Sequence, residues 1–418
     1  MIYPKIFLNK GEEREIQQGF PWVFDNEVSH IKHRQTEKDA WKNHPLGECG
    51  VEDGSAVEVY SKSGVFLGTG ILNKKSRICV RIFARENAAA VMQDAEFWER
   101  RISQACDLRA GFFSPNDSYR LVFAEADFVP GFVCERFCAE DGRIFLVVQF
   151  SALACEVFRR SIIDALVRIC RPSGIYEHDD QKAREKEGLS FCDGWIYGDE
   201  GQSTSITIVE NGVRLCVDIA GGQKTGYFLD QKHNRLAAAA FCRGKRVLDT
   251  FTHTGSFGLN AVKAGAKEVV SVDISEDAVS MVERNIALNN AGAVMRAVRA
   301  DVFDLLKQYE GENQKFDVIV LDPPAFTKSA KMIDKAYGGY KEINLRAMRL
   351  LEKGGILVTC SCSHFMETRM FCDMIMHAAM DSRRTVQIIE RRGAAPDHPV
   401  LLGYPKSEYL NCVICKVL

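Results

Sequence analysis

Four acidic residues in the C-terminal half of the chain stand at or near the ends of short apolar runs. They are Asp249, Asp273, Asp301 and Asp322. In an open parallel sheet, ligands bind beyond the carboxyl ends of the strands. An acid about two dozen residues after the end of a first strand can accept hydrogen bonds from ribose hydroxyls, and Asp273 has this spacing from Asp249. Acids at successive strand ends suit a cationic ligand that carries adenosine better than a pyrophosphate. The pattern therefore favours S-adenosylmethionine over NAD.

A glycine-containing turn follows the first of these acids. Residues 250–258 include Gly255 and Gly258, and a glycine at such a turn lets the backbone approach a ligand closely. Their spacing differs from that of a dinucleotide-binding G-x-G-x-x-G motif. Upstream, the polar and aromatic segment 222–235 has two interpretations. It is either a linker that caps the next helix or a segment that closes over the cofactor.

Two prolines follow Asp322 directly, in the segment 322–326. Because proline fixes φ near −65°, they predict a stiff lip at the edge of the site. Enzymes that methylate exocyclic amines have a similar lip, with an aromatic residue directly after the prolines. Here Ala325 separates the prolines from Phe326, and a turn requirement alone also explains the two prolines. Amine methylation therefore stays open as an alternative.

A cysteine stands at the end of the apolar run 355–361 and is a candidate nucleophile. This residue is Cys362, and strand alternation puts Cys360 on the same side. Cys412 and Cys415 lie in a terminal strand without a second cysteine pair at zinc spacing, so we interpret them as structural. The histidines are too scattered to predict a metal site.

The elements around these residues predict a doubly wound, mostly parallel α/β sheet. After about residue 205, short apolar strands alternate with helical segments, which is typical of this fold class. One helix is expected from Ser275 to Asn289, with Ser275 as its N-cap and an acidic first turn.

The N-terminal half has a different character. About the first 85 residues show short period-two runs separated by turns and predict a β-rich module, with the polar stretch 32–48 as a surface insertion. The middle predicts a helix from about Ala95 that stops at Gly111, a strand pair and a helix over 154–170. We interpret it as a packing and positioning module. The predicted domains are thus 1–88, 89–200 and 201–418.

Composition limits the function classes. The 418 residues are 46% hydrophobic and 26% charged, as in a folded chain, and the net charge is −2. A nucleic-acid-binding function would therefore depend on local basic patches. Neither a signal sequence nor an apolar stretch of 18 residues is evident, so membrane and secreted classes are not expected. Fifteen cysteines in such a chain indicate a cytoplasmic protein with reduced thiols.

Taken in order, several segments resemble a known family over nearly the whole chain: the bacterial ribosomal RNA large-subunit cytosine-C5 methyltransferases with an N-terminal PUA domain. The segments that carry the resemblance are 20–24, 72–77, 119–121, 130–131, 184–189, 226–231, 248–255, 272–275, 322–326, 361–363 and 397–399. The resemblance implies a PUA-like RNA-binding domain at 1–88, a central α+β domain at 89–200 and a Rossmann-like methyltransferase domain at 201–418.

The resemblance also implies the site. Cys362 would be the nucleophile, and Asp322 would orient the cytosine. The residues expected to hold S-adenosylmethionine are Lys224, Phe228, Asp230, Gln231, Arg235, Asp249, Phe251, Thr254, Gly255, Asp273, Ile274, Asp301, Val302 and Asp322. The expected partner is large-subunit ribosomal RNA or an assembly intermediate, and a homodimer is compatible with the sequence. Two alternatives stay open: methylation of an exocyclic amine of guanine or adenine, and a non-catalytic RNA-binding assembly factor.

Overall fold

The computed structural model describes residues 2–34, 36–198, 201, 203–222, 226–327 and 329–418. The chain divides into two compact units. The first comprises residues 1–204, 219–226 and 396–407, and the second comprises 205–218, 227–395 and 408–418. The division into three domains stays a prediction. Within the described ranges, no helix combines the length and the apolar character needed to cross a membrane.

A seven-stranded sheet lies at the start of the first unit. Its elements are β1 (Lys5–Leu8), α1 (Glu13–Gln17), β2 (Trp22–Phe24), β3 (Val28–His33), β4 (Lys42–His44), β5 (Ala56–Tyr60), β6 (Phe66–Leu72) and β7 (Ile78–Ala84). The strand order is β2-β7-β6-β5-β1-β3-β4. The predicted insertion 32–48 contributes an edge strand, because β4 pairs antiparallel with β3. One face of the sheet is buried, as the alternation of Ile6, Leu8 and Ile31 requires.

A five-stranded sheet with helices follows in the same unit. Its elements are α2 (Ala88–Met92), α3 (Phe97–Ala110), β8 (Tyr119–Phe123), β9 (Phe132–Cys138), β10 (Ile144–Phe150), α4 (Leu153–Glu156), α5 (Arg159–Cys170), β11 (Gly174–His178), α6 (Gln181–Glu187) and β12 (Asp193–Tyr197). The strand order is β12-β11-β10-β9-β8. Gly111 caps α3, as predicted. The single helix expected over 154–170 is instead two helices. Phe158, between them, packs its ring 4.7 Å from that of Trp98.

The second unit is an α/β sheet preceded by a hairpin. Its elements are β13 (Ser205–Glu210), β14 (Val213–Asp218), α7 (Lys232–Ala239), β15 (Arg246–Thr250), α8 (Ser256–Lys263), β16 (Glu268–Asp273), α9 (Glu276–Leu288), β17 (Met295–Arg299), α10 (Val302–Gly311), β18 (Phe316–Leu321), α11 (Ile333–Leu350), β19 (Leu351–Ser361), α12 (Thr368–Ser382), β20 (Val386–Arg392) and β21 (Asn411–Val417). The order is β17-β16-β15-β18-β19-β21-β20, and β21 runs antiparallel to both neighbours.

This sheet confirms the predicted fold class. Strands β15 to β19 pair in parallel, and the central strands β15, β16 and β18 are buried along most of their length, because helices cover both faces. Leu248, Ile319 and Leu357 are fully buried in its core. Ser275 caps α9 as predicted, accepting a hydrogen bond from the Ala278 backbone N–H at 3.3 Å. The carboxyl ends of these strands form one edge, where the predicted acids lie.

Candidate active site

Strand register brings the acids to one level of the sheet. Thr250, the last residue of β15, pairs with Val272 of β16 and with Leu321 of β18. Asp273 and Asp322 each come one residue later. They therefore lie on the two sides of the loop that follows Thr250.

Asp249 is a fully buried carboxylate with one satisfied oxygen. Its Oδ2 accepts hydrogen bonds from the Gly258 N–H at 2.9 Å, from the Ser271 hydroxyl at 3.0 Å and from the Thr252 hydroxyl. Burial raises the pKa of Asp249 to about 6, and these hydrogen bonds act in the opposite direction. The other oxygen, Oδ1, has no hydrogen-bond partner among the described residues.

The loop after β15 turns sharply through left-handed backbone conformations. Phe251, His253 and Gly255 have φ values of +56°, +52° and +80°. This left-handed region is unfavourable for the first two residues, and such strain is typical of functional loops. Thr254 is buried, and its hydroxyl has no partner within the described part of the chain. Burial lowers the pKa of His253 to about 4, so its imidazole is neutral at neutral pH.

Asp273 stabilises the loop after β15 and the turn after β16. Its Oδ2 accepts from the His253 N–H and its Oδ1 from the Ser275 N–H, both at 3.0 Å. The carboxylate is partly exposed, and the Ile274 side chain beside it is 61% exposed. An exposed apolar side chain next to an acid that is predicted to bind ribose suits the predicted contact of Ile274 with the cofactor.

Two further residues that were predicted to bind the cofactor, Asp301 and Val302, have structural roles. Asp301 is exposed and caps α10, accepting from the Phe303 and Asp304 N–H groups at 2.8 and 3.3 Å. Val302 is buried in the core of the sheet. A contact of either residue with the cofactor stays a prediction.

The segment before α7 lies against this edge. Lys224 falls outside the described residues. Arg235 is buried and pairs with Glu210 at 2.7 Å, while its Nη2 donates to the Phe228 carbonyl at 2.7 Å. Arg235 thus holds the chain around Phe228, whose ring contacts that of His253 at 5.0 Å. The Tyr409 hydroxyl donates to Asp230 Oδ2, and Asp230 Oδ1 has no partner among the described residues.

Gln231 links this segment to the proline lip. Its Nε2 donates to Asp322 Oδ1 at 2.9 Å, and its Oε1 accepts from the Asn234 amide at 2.7 Å. Burial, and then the nearby Asp230 carboxylate, raise the pKa of Asp322 to about 7. A substantial fraction of Asp322 therefore keeps its proton near neutral pH.

Cys362 lies just beyond β19 and beside the same lip. Its Sγ is 4.0 Å from the Pro323 carbonyl oxygen, and the residue is partly exposed. Cys360, on the same side by alternation, is fully buried and pairs across the strands with Cys412. A thiol–thiol hydrogen bond with Cys412, followed by burial, raises the pKa of Cys360 well above its usual value.

Sequence reasoning missed the residues that hold Cys362. The Ser361 hydroxyl donates to the hydroxyl of Tyr340, a buried residue of α11, at 3.1 Å. The Ser363 hydroxyl donates to the Thr327 carbonyl at 3.3 Å. The two serines that flank the cysteine were a local signal of such anchoring, whereas Tyr340 gave none because its contact depends on tertiary packing.

One acid cluster lies in the first unit. Ligand atoms of Glu177, Asp179 and Cys192 lie within 4.8 Å of one another. Arg159 and Arg184 already neutralise the two carboxylates. The expectation that the protein holds no metal stays a prediction.

The orphaned atoms test whether a cationic, adenosine-bearing cofactor fits. Buried polar atoms without partners are costly, and a native site with several of them calls for a ligand. Asp230 Oδ1, Asp249 Oδ1 and the Thr254 hydroxyl are such atoms among the described residues. An ammonium or sulfonium group suits the two carboxylates, and the partly exposed Asp273 suits ribose hydroxyls. The residues therefore fit S-adenosylmethionine.

Comparison with known families agrees with this fit. Residues 182–403 match the family described as S-adenosylmethionine-dependent methyltransferase, and residues 6–85 match a PUA-like domain. These matches and the site define a methyltransferase that uses S-adenosylmethionine, as predicted.

Similar proteins narrow the class. A ribosomal RNA large subunit methyltransferase I from Klebsiella pneumoniae (strain 342) is 36% identical over 420 residues, covering 100% of this chain and 99% of the relative. Its counterpart from Shewanella frigidimarina is 38% identical over 416 residues, covering 99% of each chain. The chain belongs to this ribosomal RNA large subunit methyltransferase I family.

Solved structures share the fold over the full chain. One described as a SAM-dependent methyltransferase from Streptococcus mutans has a TM-score of 0.78 at 21% identity, and a methyltransferase complexed with SAH has a TM-score of 0.80 at 21% identity. Each match covers 100% of both chains.

Proposed function

We propose that this enzyme methylates C5 of a cytosine in large-subunit ribosomal RNA, with Cys362 as the nucleophile. The names of the relatives support the RNA substrate. The position of the thiol supports the carbon target, because methylation of an exocyclic amine needs no thiol. The proposed substrate implies a cytoplasmic enzyme, which fits the fifteen cysteines, all within the described residues and none in a disulfide.

The observation that carries the proposal is the partly exposed residue Cys362, whose Sγ lies 4.0 Å from the Pro323 carbonyl oxygen of the proline lip. Its neighbour Cys360 is fully buried in a cluster with Ala238 of α7, Phe257 of α8 and Cys412 of β21, whereas Cys362 is partly exposed. The Ser361 and Ser363 hydrogen bonds hold the turn at both sides of Cys362. A nucleophile held in this way loses little freedom when it attacks.

Asp322 supplies the complementary group. C5 of cytosine is a poor nucleophile until a thiolate adds to C6. Electron density that moves into the ring at that step is stabilised by a proton at N3. Because its pKa is raised to about 7, Asp322 is able to hold that proton near neutral pH. The Gln231 amide fixes one carboxyl oxygen at 2.9 Å and so orients the other.

The proposed reaction transfers one methyl group to C5 and releases one proton from it. The Cys362 Sγ–C6 bond forms, C5 becomes carbanion-like and receives the methyl group, and the C5 proton leaves to a base. The Sγ–C6 bond breaks, and the aromatic ring is restored. When bound, S-adenosylmethionine supplies an electrophilic methyl group on its sulfonium.

The cofactor-binding residues divide by chemistry. Asp249 and Asp230 each have one unsatisfied buried oxygen for a cation, and Asp273 accepts from ribose hydroxyls. Ile274 packs on the adenine, and the strained loop at Phe251, Thr254 and Gly255 brings backbone close to it. Phe228 closes the site from the segment before α7. Arg235 holds that segment through Glu210 and the Phe228 carbonyl.

A covalent trap tests the mechanism. Ribosomal RNA with 5-fluorocytosine at the target has no C5 proton to lose, so wild-type enzyme should remain attached to it in a denaturing gel. Cys362→Ala should form no adduct and no methylated product, while S-adenosylmethionine still binds in calorimetry. The matched control is Cys360→Ala, which removes the buried thiol two residues away and should keep both adduct and activity.

Two outcomes would overturn the proposal. A Cys362→Ala enzyme that methylates ribosomal RNA at nearly the wild-type rate would exclude the thiol mechanism, and an N-methylated guanine or adenine in its product would establish the amine alternative. A folded wild-type protein that binds ribosomal RNA but not S-adenosylmethionine would instead be an assembly factor.

A further inference from the structure

A line of three polar side chains leads from Asp322 to the end of β20. Gln231, just before α7, donates from Nε2 to Asp322 Oδ1 at 2.9 Å. Its Oε1 accepts from Nδ2 of Asn234, in the first turn of α7, at 2.7 Å. Oδ1 of Asn234 accepts in turn from Nε of Arg392, the last residue of β20, at 2.9 Å. We call Gln231, Asn234 and Arg392 the amide network.

The direction of these hydrogen bonds is fixed at the outer end of the amide network. A guanidinium only donates, so the atom of Asn234 that faces Arg392 is an oxygen. The Gly393 carbonyl only accepts, so the atom of Asn234 that faces it, at 3.0 Å, is the nitrogen. These two neighbours give the Asn234 amide one orientation, with its second N–H directed at Gln231. Gln231 must therefore present its oxygen to Asn234 and its nitrogen to Asp322.

Burial makes this orientation hard to reverse. Gln231 and Asn234 are 3% and 1% exposed, and a buried polar group that loses its partner is costly. A reversed Gln231 amide would set its nitrogen against the Asn234 nitrogen and its oxygen against the Asp322 carboxylate. Arg392 is itself held by Glu390, whose Oε2 lies 2.7 Å from its Nη1. The amide network therefore has one stable arrangement.

We propose that Asn234, held by Arg392 and by the Gly393 carbonyl, is a positioning residue for Asp322 and acts through Gln231. The inference rests on the proposed function and deepens it, because it assigns what orients the acid that meets cytosine N3. A donor fixed on Oδ1 makes Oδ2 the oxygen that carries the proton toward the substrate. Asn234 is not a catalytic residue in this assignment, since its hydrogen bonds end at other protein groups.

The same donor controls the charge of Asp322. Burial and the nearby Asp230 carboxylate raise the pKa of Asp322 to about 7, whereas the hydrogen bond from Gln231 lowers it by favouring the carboxylate. Two other charged groups face Asp322: Arg235 lowers its pKa and Asp249 raises it. The uncharged titratable groups around it are Tyr340 of α11, Cys360 of β19 and Cys362, which lies against Pro323. A fixed donor thus lets Asp322 both hold and release its proton near neutral pH.

Titration of the Asp322 carboxyl group in the full-length enzyme tests the proposal without turnover. Protein labelled with carbon-13 at its aspartate carboxyl groups gives the pKa by nuclear magnetic resonance, and Asp322→Asn identifies the signal. Asn234→Ala releases the Gln231 amide from its fixed orientation. It should raise the pKa of Asp322 by about one pH unit, the size expected for the loss of one hydrogen bond to a carboxylate.

A matched control separates positioning from loss of packing. Asn260 of α8 is 3% exposed, donates to the Ser256 carbonyl at 2.8 Å and accepts from the Asn211 amide at 3.1 Å. Asn260→Ala should therefore destabilise the fold in urea titrations to an extent similar to Asn234→Ala, while the pKa of Asp322 stays at its wild-type value.

A double-mutant cycle tests the route through Gln231. In a Gln231→Ala background, Asn234→Ala should not raise the pKa of Asp322 further, because the side chain that connects them is gone. Arg392→Lys keeps the charge but lacks the Nε donor. It should raise the pKa by a smaller amount, since the Gly393 carbonyl still holds Asn234, and this variant answers the question if Asn234→Ala does not fold.

The results that contradict the proposal are distinct from those that contradict the proposed function. An unchanged pKa of Asp322 in folded Asn234→Ala protein, or in Arg392→Lys where the first variant does not fold, would overturn the positioning role. An equal rise in Asn260→Ala, or a further rise in the Gln231→Ala background, would do the same. A product without 5-methylcytosine, together with the expected rise in pKa, would count against the proposed function alone.

Discussion

Gly258 lies where α8 comes closest to the strand that carries Asp249. A Cβ added there would lie 2.5 Å from the Ser271 hydroxyl oxygen, 2.8 Å from the Met295 methyl and 3.0 Å from Asp249 Oδ2. Contacts below 3.0 Å do not persist, so Gly258→Ala must displace the buried Ser271 and Asp249 side chains and the Met295 methyl, or move α8 away from them. Overpacking of this kind costs about 1–3 kcal/mol. Alanine in place of a helical glycine returns about 0.5–1 kcal/mol.

Gly338→Ala isolates the overpacking contribution. Gly338 lies inside α11, and a Cβ there would meet nothing within 4 Å. Gly338→Ala should therefore raise the free energy of unfolding by about 0.5–1 kcal/mol. The free energy of unfolding of Gly258→Ala should be about 1–3 kcal/mol lower than that of Gly338→Ala. Urea unfolding followed by far-ultraviolet circular dichroism measures both.

The cofactor provides the second readout. The Gly258 N–H donates to Asp249 Oδ2 at 2.9 Å, so a shift of either group misplaces the carboxylate proposed to meet the cation. Loss of one such hydrogen bond corresponds to at least fivefold weaker S-adenosylmethionine binding in calorimetry. A Gly258→Ala protein as stable as Gly338→Ala, with wild-type cofactor affinity, would refute the close-packing argument.

Two further predictions concern the acids. Asp273→Ala should weaken S-adenosylmethionine binding by about ten- to a hundredfold, because it removes a charge-assisted hydrogen bond worth about 1.5–3 kcal/mol. The control is Asp304→Ala, which removes an exposed acid of α10. Calorimetry measures the affinity of both variants. Burial raises the pKa of Asp249 to about 6, so its carboxylate gains charge as pH rises through 6, and affinity for the cationic cofactor should rise over that interval. Asp249→Asn should flatten this rise, and an equally steep rise in the variant would assign the titration to another group.

The same raised pKa of Asp249 predicts how stability depends on pH. The folded state binds the proton more tightly than the unfolded chain, in which an aspartate has its usual pKa near 3.8. This contribution is complete below about pH 4 and is lost as pH rises through 6. The ligand-free enzyme should therefore lose part of its free energy of unfolding between pH 4 and 7, and urea titrations of wild type and Asp249→Asn should diverge over that range.

Local sequence patterns were sufficient to predict the α/β fold and the acids at one edge of its sheet. Apolar runs that end in carboxylates indicate the ends of strands. Ser275 indicates the start of α9, because N-capping is a local interaction. Long-range packing was not accessible in this way. Phe83, from β7, packs against Phe97 and Trp98 of α3, so the first two predicted domains share a hydrophobic core within one compact unit. Deletion of residues 1–85 would expose that core and is a poor test of RNA binding.

The two cysteines of β19 show most clearly what the sequence left open. Alternation puts Cys360 and Cys362 on the same side, and nothing local distinguishes them. The difference comes from residues far away in the chain. Cys360 is buried in a cluster with Ala238, Phe257 and Cys412. The pairing of β19 with β21 ends at Ser361 and Asn411, so Cys362 lies one residue beyond the ladder. A thiol at that position keeps the rigidity of the strand and gains access to the proline lip, the combination that a nucleophile requires.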